Sequence, residues 1–288
     1  MINKMDNQIP ASELILNGDG SIYHLHLLPE DIANTIIFVG DQDRVHEVSK
    51  YFDNIEIKKH KREFFTHTGY IGNKRISVMS TGIGTDNIDI CMNEIDALVN
   101  VDLNKREIKK NHTALNIIRI GTSGSLQSNI PVDSVIVSEQ GLGLDSVMHF
   151  YNRQENTELE QSIKEQLGYD FMFPYVENGS NDLMKQLNPN YIKGITATCC
   201  GFYAPQGRFL KANGISADLI SKLTNLDVSG KKVTNFEMET AAIYGLANVL
   251  GHQAISVNCI MANRIDNVFS KNPTKLMDDT IKDVLASL

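Results

Sequence analysis

Short apolar runs, separated by glycine-containing turns and by stretches of helical spacing, set the rhythm of this chain. Thr35-Ile36-Ile37-Phe38-Val39 is dense in β-branched and aromatic residues, which predicts a buried strand, and Gly40-Asp41-Gln42-Asp43-Arg44 opens it onto a helical pattern over residues 45–51. Further strands are predicted at residues 55–59, 63–70 and 75–79, a meander with Gly69 and Gly72 marking a turn. Ser80-Thr81-Gly82-Ile83-Gly84 then leads into a predicted helix over residues 86–99, and the charged residues 100–114 read as a solvated excursion. The next apolar strand, residues 115–120, is interrupted by Arg119 and runs into Gly121-Thr122-Ser123-Gly124. Strands at residues 132–137 and 192–198, a helix over residues 155–167 and a closing amphipathic helix over residues 275–288 complete the outline, with Gly141 to Asp145 read as a loop. Met238, Ala242, Leu246 and Val249 recur at helical spacing and Gly251 suits a helix stop, so residues 235–251 are predicted to be one helix, followed by a buried strand at residues 254–262.

Bulk properties narrow the class. The 288 residues show no linker rich in Pro, Gly or Ser between separately patterned halves, which favours one domain. A formal charge of -8 argues against a nucleic-acid backbone as partner, since that would need a basic face. Cys91, Cys199, Cys200 and Cys259 have neither CxxC spacing nor a histidine at a metal-ligand interval, and are expected to be buried free thiols. With no apolar leader at the N-terminus and no membrane-length apolar run, a cytoplasmic location is expected, with no membrane partner.

Glu237 and Glu239 flank Met238 at the entrance of the predicted helix. A bidentate carboxylate there can take both hydroxyls of a cis-diol while the thioether packs on a sugar; equally, acidic residues in a first turn complement the helix dipole. Gly40 and Arg44 offer an N–H and a cation to an anion, or form an ordinary strand-to-helix turn capped by Asp43. Arg119 inside an apolar strand must find an anionic ligand or a carboxylate of the protein, because a buried unpaired charge is costly. Gln206 and Arg208 place an amide beside a cationic fork, a match for the O2, N3–H and O4 row of uracil; as an isolated Gln-x-Arg they would suit a solvated loop. Arg62 reads either as an anion ligand or as a charge that protects an edge strand.

Asn235-Phe236-Glu237-Met238-Glu239-Thr240-Ala241, followed by Ile260-Met261-Ala262-Asn263-Arg264, resembles the ribose-and-base segment of the nucleoside phosphorylase family, in its uridine phosphorylase branch. Tyr23-His24-Leu25, Gly40 to Arg44, Lys61 to Phe64, Ser80 to Gly84, Arg119 to Gly124 and Phe202 to Arg208 match further segments. The resemblance implies an α/β fold, a single domain with a mixed twisted central β-sheet flanked by helices, over residues 21–288 after a flexible segment of residues 1–20. It implies a pentosyltransferase that carries out reversible phosphorolysis of uridine to uracil and ribose 1-phosphate. Phosphate is then expected at Gly40, Arg44, Arg119, Thr122 and a neighbouring subunit's Arg62. The base falls to Phe202, Gln206 and Arg208, and the ribose to Glu237, Met238, Glu239 and a neighbour's His24. Arg119, Thr122 and Arg208 form the expected catalytic set.

The same resemblance implies a homo-oligomer, at least a dimer with shared active sites and hexameric by expectation, with no metal or organic cofactor. Some members hold a monovalent cation near the positions of Glu63, Ile83 and Asn87, but Asn87 replaces the usual hydroxyl, and no ion is assigned. Gln42 stands where proline is common, and Gly207 where the residue is usually larger or acidic. The purine-specific branch has an aspartate where Asn263-Arg264 stands. A phosphorylase of thymidine, deoxyuridine or purine nucleosides, a nucleoside hydrolase and a catalytically silent nucleoside-binding protein remain the alternatives.

Overall fold

β-branched density, glycine punctuation and buried polar caps place the elements. The computed structural model describes residues 8–288, and contacts divide them into two compact units, residues 8–82 with Asp89–Asn116, and Ile83–Ile88 with Ile117–Leu288.

In the first unit β1 (Thr35–Val39) is buried along almost its whole length, as expected of a run of β-branched and aromatic residues in a parallel pair. The helix α1 (Gln42–Ser49) follows; its cap is Asp41, whose carboxylate accepts the Asp43 N–H, and not Asp43 as expected from sequence. The residue that precedes the helix, with extended backbone, is the one whose side chain can reach back to the first free N–H groups. The meander β2 (Asn54–Lys61), β3 (Phe64–Ile71) and β4 (Lys74–Ser80) is antiparallel, and β4 pairs with β1 in parallel, giving the order β1-β4-β3-β2. β2 alternates exposed and half-buried positions, and its lysines blunt a free edge.

The helix α2 (Thr85–Asn100) supplies Asp89–Asn100 to this unit. The charged stretch after it is largely solvated but not structureless. β5 (Val101–Asp102) and β6 (Glu107–Ile108) pair antiparallel, Val101 and Leu103 are buried, and Arg106 receives the Ile9 N–H and donates to the Leu14 carbonyl. Of the expected loose start, residues 1–7 lie outside the described residues.

The second unit is built on β7 (Asn116–Ser125) and β8 (Val135–Gly143), then α3 (Thr157–Leu167), β9 (Tyr175–Asn178), α4 (Asn181–Gln186), β10 (Ile192–Thr198), α5 (Leu219–Asn225), β11 (Asp227–Val228), β12 (Lys231–Glu237), α6 (Thr240–Leu250), β13 (Gln253–Asn263), β14 (Val268–Phe269) and α7 (Pro273–Ser287). Its main ladder runs β12-β10-β8-β13-β7. β10 lies parallel to β8 and β12, while β13 is antiparallel to β8. β12 also pairs with the end of β7, through Asn235 with Ser125 and Phe236 with Gly124, so these strands close on themselves. Irregular register at Gly194–Thr196 bends β10, as closure of a strongly curved sheet requires. The α/β class and the mixed sheet flanked by helices are thus as expected.

That pairing corrects the largest sequence expectation. Asn235, Phe236 and Glu237 end a strand, and the helix begins only at Thr240. Asn235 donates to Ser123 Oγ and accepts from Thr196 Oγ1, long-range partners that outweigh local helical spacing. Gly121 to Gly124 continue the strand that was expected to end at Ile120, and Gly141 to Gly143 lie inside a strand, not in the loop expected. Gly141 is needed there because a Cβ would stand 2.6 Å from the Ala241 Cα, where α6 crosses β8. α6 is buried from Thr240 through Ala247, and apolar residues surround it on several sides.

Candidate active site

At the β12–α6 junction the two carboxylates have different lives. Glu237 Oε1 accepts from Thr198 Oγ1 at 2.8 Å and from the Thr240 N–H at 3.1 Å; Oε2 accepts the Glu239 N–H at 3.0 Å. The Ala241 N–H donates to Thr198 Oγ1. Glu237 and Thr198 therefore satisfy the free N–H groups of the first turn of α6 and set negative charge at its positive end. With Arg119 Nη2 also 3.2 Å from Oε2, the acceptor sites of Glu237 are largely used. Glu239 has fewer partners: Oε1 accepts the Gly84 N–H at 2.8 Å and Oε2 accepts from Arg119 Nη2 at 2.5 Å. Met238 between them is half-buried.

Arg119, buried within β7, has found carboxylates, as its setting demands. Its Nη1 donates to Asn258 Oδ1 at 2.9 Å, and a Cβ at Gly121 would collide with the guanidinium, so glycine there makes room for it. Burial alone would pull the Arg119 pKa down, but Glu237 and Glu239 outweigh it and hold it above the ordinary arginine value. Glu239 is pushed above the ordinary carboxylate value, by burial first and by the charge of Glu237, with Arg119 opposing. Two buried carboxylates share one guanidinium, so the group carries excess negative charge. Thr122, three residues along the same strand, is half-buried.

The other grouping in this unit surrounds Phe236. Arg208 lies over the Phe202 ring, 3.9 Å from its centroid, and also 5.6 Å from the Phe236 centroid. Its Nη1 donates to Gln206 Oε1 at 2.6 Å and to the Phe202 carbonyl at 2.9 Å. Gln206 is buried, and its amide nitrogen has no hydrogen-bond partner among the described residues. Phe202, Gln206 and Arg208 thus come together as the sequence suggested, although one face of Phe202 is already covered by the guanidinium.

Arg264 joins them, and sequence reasoning did not single it out. Its guanidinium lies 5.4 Å from the Phe236 centroid and donates to the Gln206 carbonyl at 3.3 Å. Burial, then the charge of Arg264, lowers the Arg208 pKa to about 10. Two cations thus lie beside one aromatic ring, with no carboxylate paired to either among the described residues. The signals in the sequence were an arginine at the end of a buried strand and its place in the Asn263-Arg264 pair, where the purine-specific branch has an aspartate. Asn263 points elsewhere: it donates to the Gln127 and Ile130 carbonyls and accepts from the Ile265 and Asp266 N–H groups.

In the first unit, Gly40 closes β1 with a Cβ position 3.6 Å from the Gly82 carbonyl, and Arg44 sits half-buried in the first turn of α1. Arg62 is the first residue of the two-residue turn between β2 and β3, at a φ of 55°. A non-glycine residue is uncommon in that region, and here the Arg62 carbonyl is held by Gln42 Nε2 and His60 Nε2. The Arg62 guanidinium lies 5.9 Å from the Tyr23 ring centroid. His24 is anchored by Glu94 through a 2.6 Å contact at Nδ1. Three of the thiols, Cys91, Cys199 and Cys259, are buried as expected; Cys200 is exposed. No helix among the described residues is long and apolar enough to cross a membrane.

The sequence profile of the phosphorylase superfamily matches residues 34–285. The uridine phosphorylase of Thermococcus kodakarensis is 31% identical over 258 residues, covering 88% of this chain and 81% of the relative. A DeoD-type purine nucleoside phosphorylase of Buchnera aphidicola is 25% identical over 269 residues, 92% of this chain and 98% of the relative. Among solved structures, a Trypanosoma brucei nucleoside phosphorylase described as showing uridine phosphorylase activity superposes with a TM-score of 0.84 at 28% identity, covering 96% of this chain and all of that one. The chain belongs to the phosphorylase superfamily, as a pentosyltransferase of the nucleoside phosphorylase family in its uridine phosphorylase branch.

Proposed function

We propose that this enzyme carries out the reversible phosphorolysis of uridine to uracil and α-D-ribose 1-phosphate. The observation that carries the choice of a pyrimidine is the grouping of Gln206, Arg208 and Arg264 around Phe236. Cleavage of the N-glycosidic bond leaves negative charge on the base and positive charge on the sugar, so a competent site must favour both. Arg208 and Arg264 supply cations where the base charge grows, and the Gln206 amide nitrogen has a hydrogen free for a uracil oxygen. A purine site that protonates its ring needs an acid at this place; Asn263 is committed to backbone groups, and the Arg264 guanidinium is a cation that holds its protons too tightly to give one up.

At the sugar, Glu239 retains lone pairs on both oxygens for the 2′ and 3′ hydroxyls, and Met238 packs beside them. Glu237 acts one step back, holding the turn that aims Glu239. Arg119 and Thr122 are assigned to phosphate, as are Gly40 and Arg44, with Arg62 and His24 reaching a neighbouring subunit's site in a homo-oligomer of at least two chains. No metal or organic cofactor has a part in these steps, and the cytoplasm is the expected compartment. The test is a panel of uridine, 2′-deoxyuridine, thymidine and inosine in phosphate buffer, followed by release of free base. Uridine should give the highest kcat/KM and inosine the lowest; preference for inosine would overturn the assignment.

A further inference from the structure

We propose that Glu94 is the positioning residue for His24: it fixes the neutral imidazole with its proton on Nδ1, leaving Nε2 as a hydrogen-bond acceptor for a hydroxyl of the nucleoside. The inference rests on the uridine phosphorylase reading for the identity of that hydroxyl, but not for the geometry. Glu94 lies on α2, seventy residues from the loop it holds. Its carboxylate receives the His24 N–H on both oxygens at 3.0 Å and the Leu25 N–H on Oε2 at 2.9 Å. Oε1 stands 2.6 Å from the ring Nδ1.

A carboxylate at this place can only accept, so each group facing it must donate. Nδ1 therefore carries hydrogen, and in the neutral ring Nε2 is left with a lone pair. Nε2 has no hydrogen-bond partner among the described residues, and the ring is partly exposed, with 26% of its side-chain surface accessible. The backbone of the loop is fixed as firmly as the tautomer. Lys61 Nζ donates to the Tyr23 carbonyl and to Asn17 Oδ1, and the Tyr23 ring meets the His24 ring edge-on at 4.8 Å between centroids. The result is an imidazole presented outward with one nitrogen committed and the other open.

Of the three ribose hydroxyls, the 2′ and 3′ pair is assigned to Glu239, which leaves the 5′-hydroxyl as donor to His24 Nε2. Glu94→Gln separates a tautomer lock from a mere loop anchor. The amide has a single acceptor oxygen, which is best kept where the His24 and Leu25 N–H groups converge. Its nitrogen then donates to Nδ1, and the ring proton moves to Nε2. Glu94→Asp keeps two acceptor oxygens and the charge.

The experiment has two arms on the full-length protein. In the first, long-range 1H–15N correlation spectra of histidine-labelled protein, at a pH where the His24 ring is neutral, should show Nδ1–H in the wild type and in Glu94→Asp, and Nε2–H in Glu94→Gln. A wild-type ring protonated at Nε2 overturns the inference whatever the enzyme acts on. In the second, Glu94→Gln should lower kcat/KM for uridine about five- to tenfold, mainly through KM, because the 5′-hydroxyl must turn round to accept from Nε2–H and its own hydrogen loses its acceptor. It should leave kcat/KM for 5′-deoxyuridine within about twofold, since that substrate never made the bond. Equal losses on the two substrates would reduce Glu94 to a structural anchor and overturn its positioning role. Should the wild type fail to phosphorolyse uridine at all, it is the functional reading that falls, and the spectra still decide the tautomer.

Discussion

The two groupings of the second unit solve opposite problems. Around Arg119 the polar groups are buried and bound mainly to one another: two carboxylates share one guanidinium, and backbone N–H groups of the α6 turn complete the set. Around Phe236 the groups come from the Phe202–Arg208 loop and from Arg264 after β13, two cations face one ring, and the Gln206 amide has bonding capacity left over. The first arrangement is excess-anionic and largely satisfied, with spare acceptor capacity only on Glu239, as suits a part that must stay still and aim one carboxylate. The second is excess-cationic and unsatisfied, as suits a part that waits for charge to develop on a leaving group. Each grouping should therefore fail differently when cut.

The largest effect is expected on the satisfied side. Glu237→Ala strands the first turn of α6 and removes one partner of a buried ion pair, and should cost about 3–5 kcal/mol of stability, read as a fall in the urea midpoint. If Glu237→Ala unfolds no more easily than wild type, the capping role is wrong. Arg208→Ala should do the reverse: kcat/KM for uridine falls roughly 10²–10³-fold, the scale for losing a donor to developing charge, with little change in unfolding and with KM for phosphate nearly unaltered. Equal losses toward uridine and phosphate would place Arg208 outside the base site.

Glu239→Gln tests the boundary between the two behaviours. It keeps the volume and an acceptor for the Gly84 N–H but turns an amide N–H toward Arg119 Nη2, so stability should fall by about 1–3 kcal/mol, less than for Glu237→Ala, while kcat/KM for uridine should drop about 10–100-fold through loss of charged bonds to the diol. Unchanged kinetics would remove Glu239 from the sugar. Arg264→Ala should cost about tenfold in kcat/KM and leave a second mark. Because burial and the charge of Arg264 lower the Arg208 pKa to about 10, activity should fall as pH rises toward that value and the cation is lost. Without Arg264 that limb should move to higher pH. Uridine's own N3 ionisation is common to both proteins, so the difference between the two profiles isolates the arginine.

What could be read from the sequence follows the range of the interaction that decides each element. Thr35–Val39 and Ile192–Thr198 were legible because their own side chains dictate burial and extension. Asn235–Glu237 was not, because its strand pairing is with Gly124 and Ser125, more than a hundred residues earlier; the helical spacing of the residues after it spread backwards over a strand end. The same distance hid the division of labour between the carboxylates. Glu237 and Glu239 stood side by side at the start of a predicted helix, and it is Thr198 on the first and the Gly84 N–H on the second that tell them apart. Gln206 and Arg208 were legible as a pair, since two residues apart on one loop they share a neighbourhood, whereas Arg264 comes from the end of another strand, far along the chain, to meet the Phe236 ring and the Gln206 carbonyl.

The central claim is that the enzyme passes a pentose from uracil to phosphate. It is tested most directly by following uracil and ribose 1-phosphate from uridine with phosphate present and with phosphate removed. The account expects the two products in equal amounts with phosphate and almost no uracil without it. Uracil released at the same rate in the absence of phosphate, with free ribose beside it, would make the protein a hydrolase and contradict the account.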